Sequence, residues 1–124
     1  MTQASGMDDQ QQIAAIMATY IEGARSGRSA GLRGIFHELA TICGQVGPDL
    51  FAGPIQLFYD WHDDNGPAPG VRTLATWIDV QGSAASVRLD IDDWTGHRFT
   101  DYFTLVRIDG RWLILSKVFF LHGD

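Results

Sequence analysis

The sequence contains a single cysteine, Cys43, so it can form no intrachain disulfide. This scarcity is typical of proteins in a reducing compartment, and we predict a cytoplasmic location. The polar, acidic residues 1–12 lack the basic start and continuous apolar stretch of a secretory signal. No run approaches the roughly 20 apolar residues that cross a bilayer, so we predict no membrane partner.

Basic residues are also few: nine Lys and Arg stand against 15 Asp and Glu, which gives a net charge of -6. That field repels polyanions, and no basic cluster offsets it locally, so we predict no nucleic-acid partner. The 124 residues, 45% of them hydrophobic, suffice for one core. We expect residues 1–7 to form a disordered tail and residues 8–124 to form a single domain.

Helical periodicity is confined to the first half of the chain. Apolar residues at helical spacing predict a first helix that is capped by Asp8 or Asp9. A second helix is predicted around residues 30–36, although Gly31 and Gly34 weaken it. A third is predicted to begin near Pro54, because a proline fits the first turn of a helix.

Strands dominate the second half of the chain. Residues 40–52 predict a short hairpin between the second and third helices. Four longer strands are then predicted at residues 71–80, 84–94, 97–108 and 111–121. The Asp109–Gly110 pair between the last two strands is typical of a two-residue turn. The pattern indicates an α+β fold in which helices precede a curved antiparallel sheet.

The tight turn suggests a register for the last hairpin. If Ile108 faces Arg111 and the ladder continues without interruption, Tyr102 lies beside Lys117, and Asp101 points to the opposite face. Both faces of the sheet then carry large apolar residues. Because the helices can cover only one face, we predict a homodimer formed through the outer face.

The closing segment Phe99–Phe120, with its strand–Asp-Gly–Arg-Trp–strand element, carries a resemblance to a known family. Together with Tyr20, Gly23, the Phe36–His37 pair and Ala40, it resembles the putative lumazine-binding branch of the nuclear transport factor 2-like (SnoaL/ketosteroid isomerase-like) superfamily. The resemblance implies a cone-shaped fold with three N-terminal helices packed on a curved, mostly antiparallel sheet. It also implies a pocket inside the cone.

Ketosteroid isomerase, a member of that superfamily, provides a test of activity. The resemblance places Tyr20 at the isomerase's oxyanion-hole tyrosine and Trp61 at a pocket tyrosine. Gly44 occupies the position of the general-base aspartate, and Thr104 that of the protonated aspartate. Proton abstraction beside a carbonyl group requires the base, which glycine cannot supply. We therefore do not expect isomerase activity of that type.

Two residues are weak catalytic candidates. His37 has the natural acid/base group for neutral pH, and Tyr20 could orient a ligand oxygen. Each has a structural alternative, as a helix-end histidine and a core tyrosine respectively. Lys117 could similarly be a base or anion anchor, or a packing residue with a solvated ammonium. The histidines lack the spacing of a zinc site, and we predict neither a metal nor a cofactor.

Aromatic residues could form a binding site. We predict an apolar ligand pocket formed by Tyr20, Phe36, Gly44, Phe58, Trp61, Trp77, Tyr102, Thr104, Lys117 and Phe119. The primary hypothesis is binding of a small apolar or aromatic metabolite. The alternatives are a cofactor-independent enzyme (a small isomerase, dehydratase or cyclase) that uses His37 or Tyr20, and a dimerisation module without a ligand.

Overall fold

The computed structural model describes residues 8–123, so the predicted tail at residues 1–7 lies outside the described part of the chain. The elements are α1 (Asp9–Ser26), two 3₁₀ turns (Ser29–Gly31 and Arg33–Ile35), β1 (Phe36–Val46), β2 (Asp49–Pro54), α2 (Gln56–Asn65), β3 (Arg72–Gln81), β4 (Ala84–Trp94), β5 (His97–Ile108) and β6 (Arg111–Leu121). The six strands form one sheet in the order β2-β1-β6-β5-β4-β3, in which only the β1–β6 pair is parallel. This α+β architecture confirms the predicted fold class.

Helix α1 is fixed at both ends. Asp8 forms a capping box with Gln11, as an N-terminal cap should, and the helix stops at Gly27, whose φ of 72° is left-handed. Asp9 accepts a hydrogen bond from the Trp112 indole at 2.9 Å and pairs with Arg107, and the indole hydrogen bond lowers the pKa of its carboxyl group. The helix start is thereby tied to the last two strands.

The middle helical segment differs from its prediction. Residues 29–35 form two short 3₁₀ turns rather than an α-helix, and Phe36 already belongs to β1. Leu32, which lies between the turns, is fully buried and fills the space that a side chain at Gly23 would occupy. The third helix begins at Gln56, and Pro54 ends β2 instead of opening that helix.

The last hairpin contains a β-bulge that the sequence did not reveal. Ile108 faces Arg111 as predicted, but the register shifts near Leu115, so that Phe103 faces Lys117 and Tyr102 faces Val118. The prediction that Tyr102 lies beside Lys117 is therefore wrong. Asp101 and Lys117 both point inward because the extra residue reverses the alternation of β6.

A second bulge separates Ile91 from Trp94 in the β4–β5 pair, where Asp93 has a φ of 56°. It places Val87 and Leu89 opposite Phe103 and Asp101, on the face that packs against the helices. The outer face retains exposed aromatic residues. Among the described residues, no helix is long and apolar enough to cross a membrane.

Candidate functional site

A mostly apolar pocket of about 230 Å³ opens between α2 and the inner face of the sheet. Five strands and α2 contribute to it, and all but two of its lining residues are aliphatic or aromatic. The lining consists of Ile42, Val46, Phe51, Phe58, Trp61, Trp94, His97, Phe99, Lys117, Phe119 and Leu121. Of the two ionisable residues, His97 is exposed and Lys117 is buried. The amine of Lys117 is thus the buried polar group of the pocket wall.

Three polar side chains meet behind this wall. Lys117 Nζ lies 3.5 Å from Asp101 Oδ1, and the Tyr20 hydroxyl donates a 2.8 Å hydrogen bond to Asp101 Oδ2. Lys117 is 4% exposed, and Tyr20 and Asp101 are 0% exposed. The β6 bulge makes this cluster possible, because without it the amine would point to the outer face.

Burial dominates the electrostatics of the cluster. It lowers the pKa of the Lys117 amine, and the Asp101 carboxylate partly opposes that decrease. It raises the pKa of the Asp101 carboxyl group, against the opposing effects of Lys117 and Tyr20. Burial and the neighbouring carboxylate also raise the pKa of the Tyr20 hydroxyl well above its usual range. All three shifts favour uncharged groups.

Aromatic rings surround the Lys117 amine. Nζ lies 4.9 Å from the Phe58 ring centroid, 5.1 Å from that of Phe119 and 5.7 Å from that of Tyr20. Phe58 also stacks on Trp61, three residues later on the same face of α2. Such rings attract an ammonium group.

Gly44 allows the Phe119 ring to lie against β1. A Cβ atom at residue 44 would come within 2.5 to 2.6 Å of three atoms of that ring. Phe119 in turn packs edge-on against Phe51 and Phe99, which complete the aromatic wall of the pocket. The space that glycine leaves is therefore filled by a pocket residue and does not form an opening.

His62 is a buried histidine beside the pocket. Its Nε2 lies 2.8 Å from the Gly23 carbonyl oxygen, which can only accept, so Nε2 carries the hydrogen. Its Nδ1 has no hydrogen-bond partner among residues 8–123. The ring joins α2 to α1 and packs edge-on against Trp94 at 5.8 Å. We assign it a packing role.

Comparison with known proteins identifies the family. Residues 8–120 match the family described as Putative lumazine-binding. The chain belongs to this putative lumazine-binding family. An NTF2-like protein of unknown function from Methylobacillus flagellatus KT is 41% identical, with 99% of both chains covered and a TM-score of 0.90. A second such protein, from Shewanella baltica OS155, is 35% identical, with 98% of this chain and 100% of that one covered and a TM-score of 0.90.

A curated relative has a named activity. The protein called Aldolase FrzH from Cladobotryum sp. is 28% identical over 109 residues, which are 85% of this chain and 87% of that protein. The match to the putative lumazine-binding family and the similarity to NTF2-like structures confirm the resemblance to the nuclear transport factor 2-like superfamily.

Half of the predicted pocket residues lie together in this chain. Phe58, Trp61, Lys117 and Phe119 line the pocket, and Tyr20 lies directly behind Lys117. Two further predicted residues lie in the adjoining packing: Phe36 contacts Phe58 with a 6.1 Å centroid separation, and Gly44 supports Phe119.

Four predicted site residues lie elsewhere. Tyr102 and Thr104 occupy the outer face, because they alternate along β5 with the buried residues Asp101 and Phe103, and Thr104 bonds Ser116 there at 2.6 Å. Trp77 is 54% exposed on that face, with Arg88 stacked 4.8 Å from its ring. His37 is the second residue of β1, where its Nδ1 accepts the Leu39 N–H, and it does not line the pocket.

The sequence interpretation also missed residues that matter. Asp101, which the uninterrupted register places on the opposite face, supplies the carboxyl group that accepts the hydrogen bond from Tyr20. Trp94 and Phe99 line the pocket because of the β4 bulge. One signal was available: a lysine in the middle of the apolar strand Leu113–Phe120 requires a buried partner.

Proposed function

We propose that the protein binds a small, mostly apolar metabolite with one neutral carbonyl group in this pocket. The observation that carries the proposal is the single buried amine, Lys117 Nζ, in a wall that is otherwise aliphatic and aromatic. A few polar groups among apolar ones are typical of sites that orient small ligands. We also propose a cytoplasmic location, as predicted from the cysteine content. Cys43 is a free cysteine.

Size and charge narrow the ligand. A volume of about 230 Å³ is below the usual range of roughly 300–1,000 Å³ for ligand pockets, which favours a compact molecule. A ligand carboxylate beside Lys117 would bring a further buried charge next to Asp101, whose Oδ1 is only 3.5 Å from the amine. A carbonyl oxygen accepts a hydrogen bond from Lys117 without that penalty.

The family description names lumazine, a bicyclic ring with nitrogen or oxygen atoms along most of its edge. Those atoms need several hydrogen-bond partners when buried. The lining offers the ionisable groups of Lys117 and His97 and little else that is polar apart from two indoles. The geometry therefore supports a less polar ligand than lumazine.

The test uses arylalkyl ketones as probes. We expect 4-phenyl-2-butanone to raise the melting temperature and to quench tryptophan fluorescence, because Trp61 and Trp94 line the pocket. A ligand at 100 times its dissociation constant stabilises by about 2.7 kcal/mol. The matched alcohol, 4-phenylbutan-2-ol, should bind more weakly because it lacks the carbonyl group.

Two variants localise the binding. Trp61→Ala should weaken it, and Trp77→Ala, which removes an exposed indole on the outer face, should leave it unchanged. The proposal fails if no ketone of this series changes the melting temperature or the fluorescence, or if the two variants lose affinity equally.

A second candidate function is carbon–carbon bond chemistry at a carbonyl group. The relative named as an aldolase favours it, and so does the lowered pKa of the Lys117 amine. His37, which lies outside the pocket, is a poor acid/base for it, and Tyr20 is engaged with Asp101. The pocket also argues against a module whose interior is filled by its own side chains.

We also propose a homodimer formed through the outer sheet face. Tyr102, Phe120 and Trp77 are each about half exposed there, next to Val106 and Val118. Helices α1 and α2 pack on the other face and leave this one uncovered. A contiguous apolar surface of that kind favours a self-association interface.

A further inference from the structure

Lys117 is the only lysine in the sequence; the other eight Lys and Arg residues are all arginines. The single side-chain primary amine of the chain is therefore the one that lines the pocket. An arginine would serve a surface charge or an ion pair at least as well, but it cannot act as a nucleophile.

The surroundings of this amine suit reaction with a carbonyl group. The amine lies 4.9 Å from the centroid of the Phe58 ring and 5.1 Å from that of Phe119, and both rings line the pocket with it. Asp101 Oδ1, 3.5 Å away, has no hydrogen-bond partner within residues 8–123. Because Oδ2 already accepts the Tyr20 hydroxyl, Oδ1 is the carboxyl oxygen that is free to exchange a proton with Lys117.

We propose, building on the pocket proposed above, that Lys117 is a nucleophile that forms an imine with the carbonyl carbon of the bound ligand. The nitrogen lone pair forms a C–N bond, and the carbonyl π electrons move to oxygen, which takes up a proton to give a carbinolamine. Loss of the hydroxyl group as water leaves a C=N bond to Lys117. One carbonyl compound and one amine thus give one imine and one water, with no oxidant or reductant.

Asp101 is the proton carrier in this step. As a neutral carboxyl group it donates its proton to the carbonyl oxygen while the nitrogen attacks, takes up the proton that the attached nitrogen then releases, and returns one to the departing hydroxyl group. Burial lowers the pKa of the Lys117 amine and raises that of the Asp101 carboxyl group, and both shifts favour the reaction because an ammonium has no lone pair with which to attack. Tyr20 holds the carboxyl group in place through Oδ2 and is a positioning residue.

Reductive trapping tests the proposal. The full chain is incubated at neutral pH with 3-phenylpropanal or 4-phenyl-2-butanone and sodium cyanoborohydride, and is then examined by intact mass and peptide mapping. Trapping adds the mass of the carbonyl compound less one oxygen atom. We expect one adduct on Lys117, formed at least tenfold faster than any adduct on the N-terminal α-amino group, the other primary amine.

The variants and outcomes separate this proposal from the binding proposal. Lys117→Arg and Lys117→Met should lose the adduct, and unfolding the wild-type protein in guanidinium should abolish its rate advantage. If the probes raise the melting temperature but trapping modifies only the α-amino group, the imine is excluded and binding stands. If they neither stabilise the protein nor modify Lys117, both proposals are overturned.

Discussion

The carboxyl group of Asp101 and the amine of Lys117 face each other across the β5–β6 pair at 3.5 Å, both shut off from solvent. Either group in its charged form would destabilise the fold without the other, since an unpaired buried charge is strongly destabilising. Together with the Tyr20 hydroxyl they form a cluster that can shift protons without changing its net charge. This arrangement lies at the inner end of an apolar pocket, which is where a bound ligand would meet it.

The role of Asp101 can be separated from that of Lys117. Asp101→Asn keeps the side-chain size but cannot carry a proton between Lys117 and the ligand oxygen. We expect reductive trapping at Lys117 to slow by about 10²-fold, within the usual range for general acid–base assistance, while ketone affinity changes little. Trapping rates and binding titrations of the same preparation check this. Equal losses in both would assign Asp101 to folding of the pocket only.

Stability should depend on pH in a way that Lys117 controls. Because folding lowers the pKa of its amine, the unfolded chain binds more protons, and stability rises with pH up to about 10.4, the usual lysine value. Lys117→Met removes this rise. It also removes the opposing effect of Lys117 on the raised pKa of Asp101, which in the variant makes stability fall with increasing pH.

Both effects have the same sign. The free energy of unfolding of the wild type minus that of Lys117→Met should therefore increase with pH in the range below about 10.4, the usual lysine value, by at most about 1.4 kcal/mol per pH unit for each group. Urea titrations across this range measure it. Arg25→Met, which removes an exposed guanidinium group on helix α1, should show a constant difference. A flat profile for Lys117→Met would contradict the shifted pKa.

The sequence predicted the strands well and the pairing less well. Strands β4, β5 and β6 have the predicted bounds because a two-residue turn marks at least one end of each strand. A bulge has no comparable marker, since Leu115 is an ordinary strand residue in an ordinary apolar run. One inserted residue reverses every later side chain of the strand. An uninterrupted ladder therefore places Lys117 beside Tyr102, whereas in the structure Lys117 faces Phe103 and its amine lies 3.5 Å from Asp101.

The aromatic part of the site was more accessible to prediction. Helical spacing predicts Phe58, the resemblance to the isomerase adds Trp61, and Tyr20 follows from its place on the buried face of α1. Trp77 was misplaced because β3 is an edge strand, in which alternation does not tell which face is covered. Which residues line the pocket thus depends on tertiary contacts that no local sequence pattern specifies.

Gly44 should control the shape of the pocket. In Gly44→Ala the new methyl group would meet the Phe119 ring, and this ring would have to move into the pocket or away from β1. We expect a loss of about 1–3 kcal/mol in the free energy of unfolding and weaker binding of 4-phenyl-2-butanone. Gly34→Ala is the matched control, because a Cβ atom at residue 34 meets nothing within 4 Å. Similar behaviour of the two variants would show that Phe119 adapts without cost.

The outer sheet face should decide the oligomeric state. Phe120 is 57% exposed there and lies beside Thr100 on the neighbouring strand, so a glutamate at this position would place a charge within the proposed interface. We expect wild type to elute as a dimer at micromolar concentration in size-exclusion chromatography with light scattering, and Phe120→Glu to elute as a monomer with an intact pocket. Leu57→Glu, on helix α2 away from this face, is 39% exposed and should remain dimeric. A monomeric wild type, or dissociation in the Leu57→Glu variant alone, would refute an interface at the outer face.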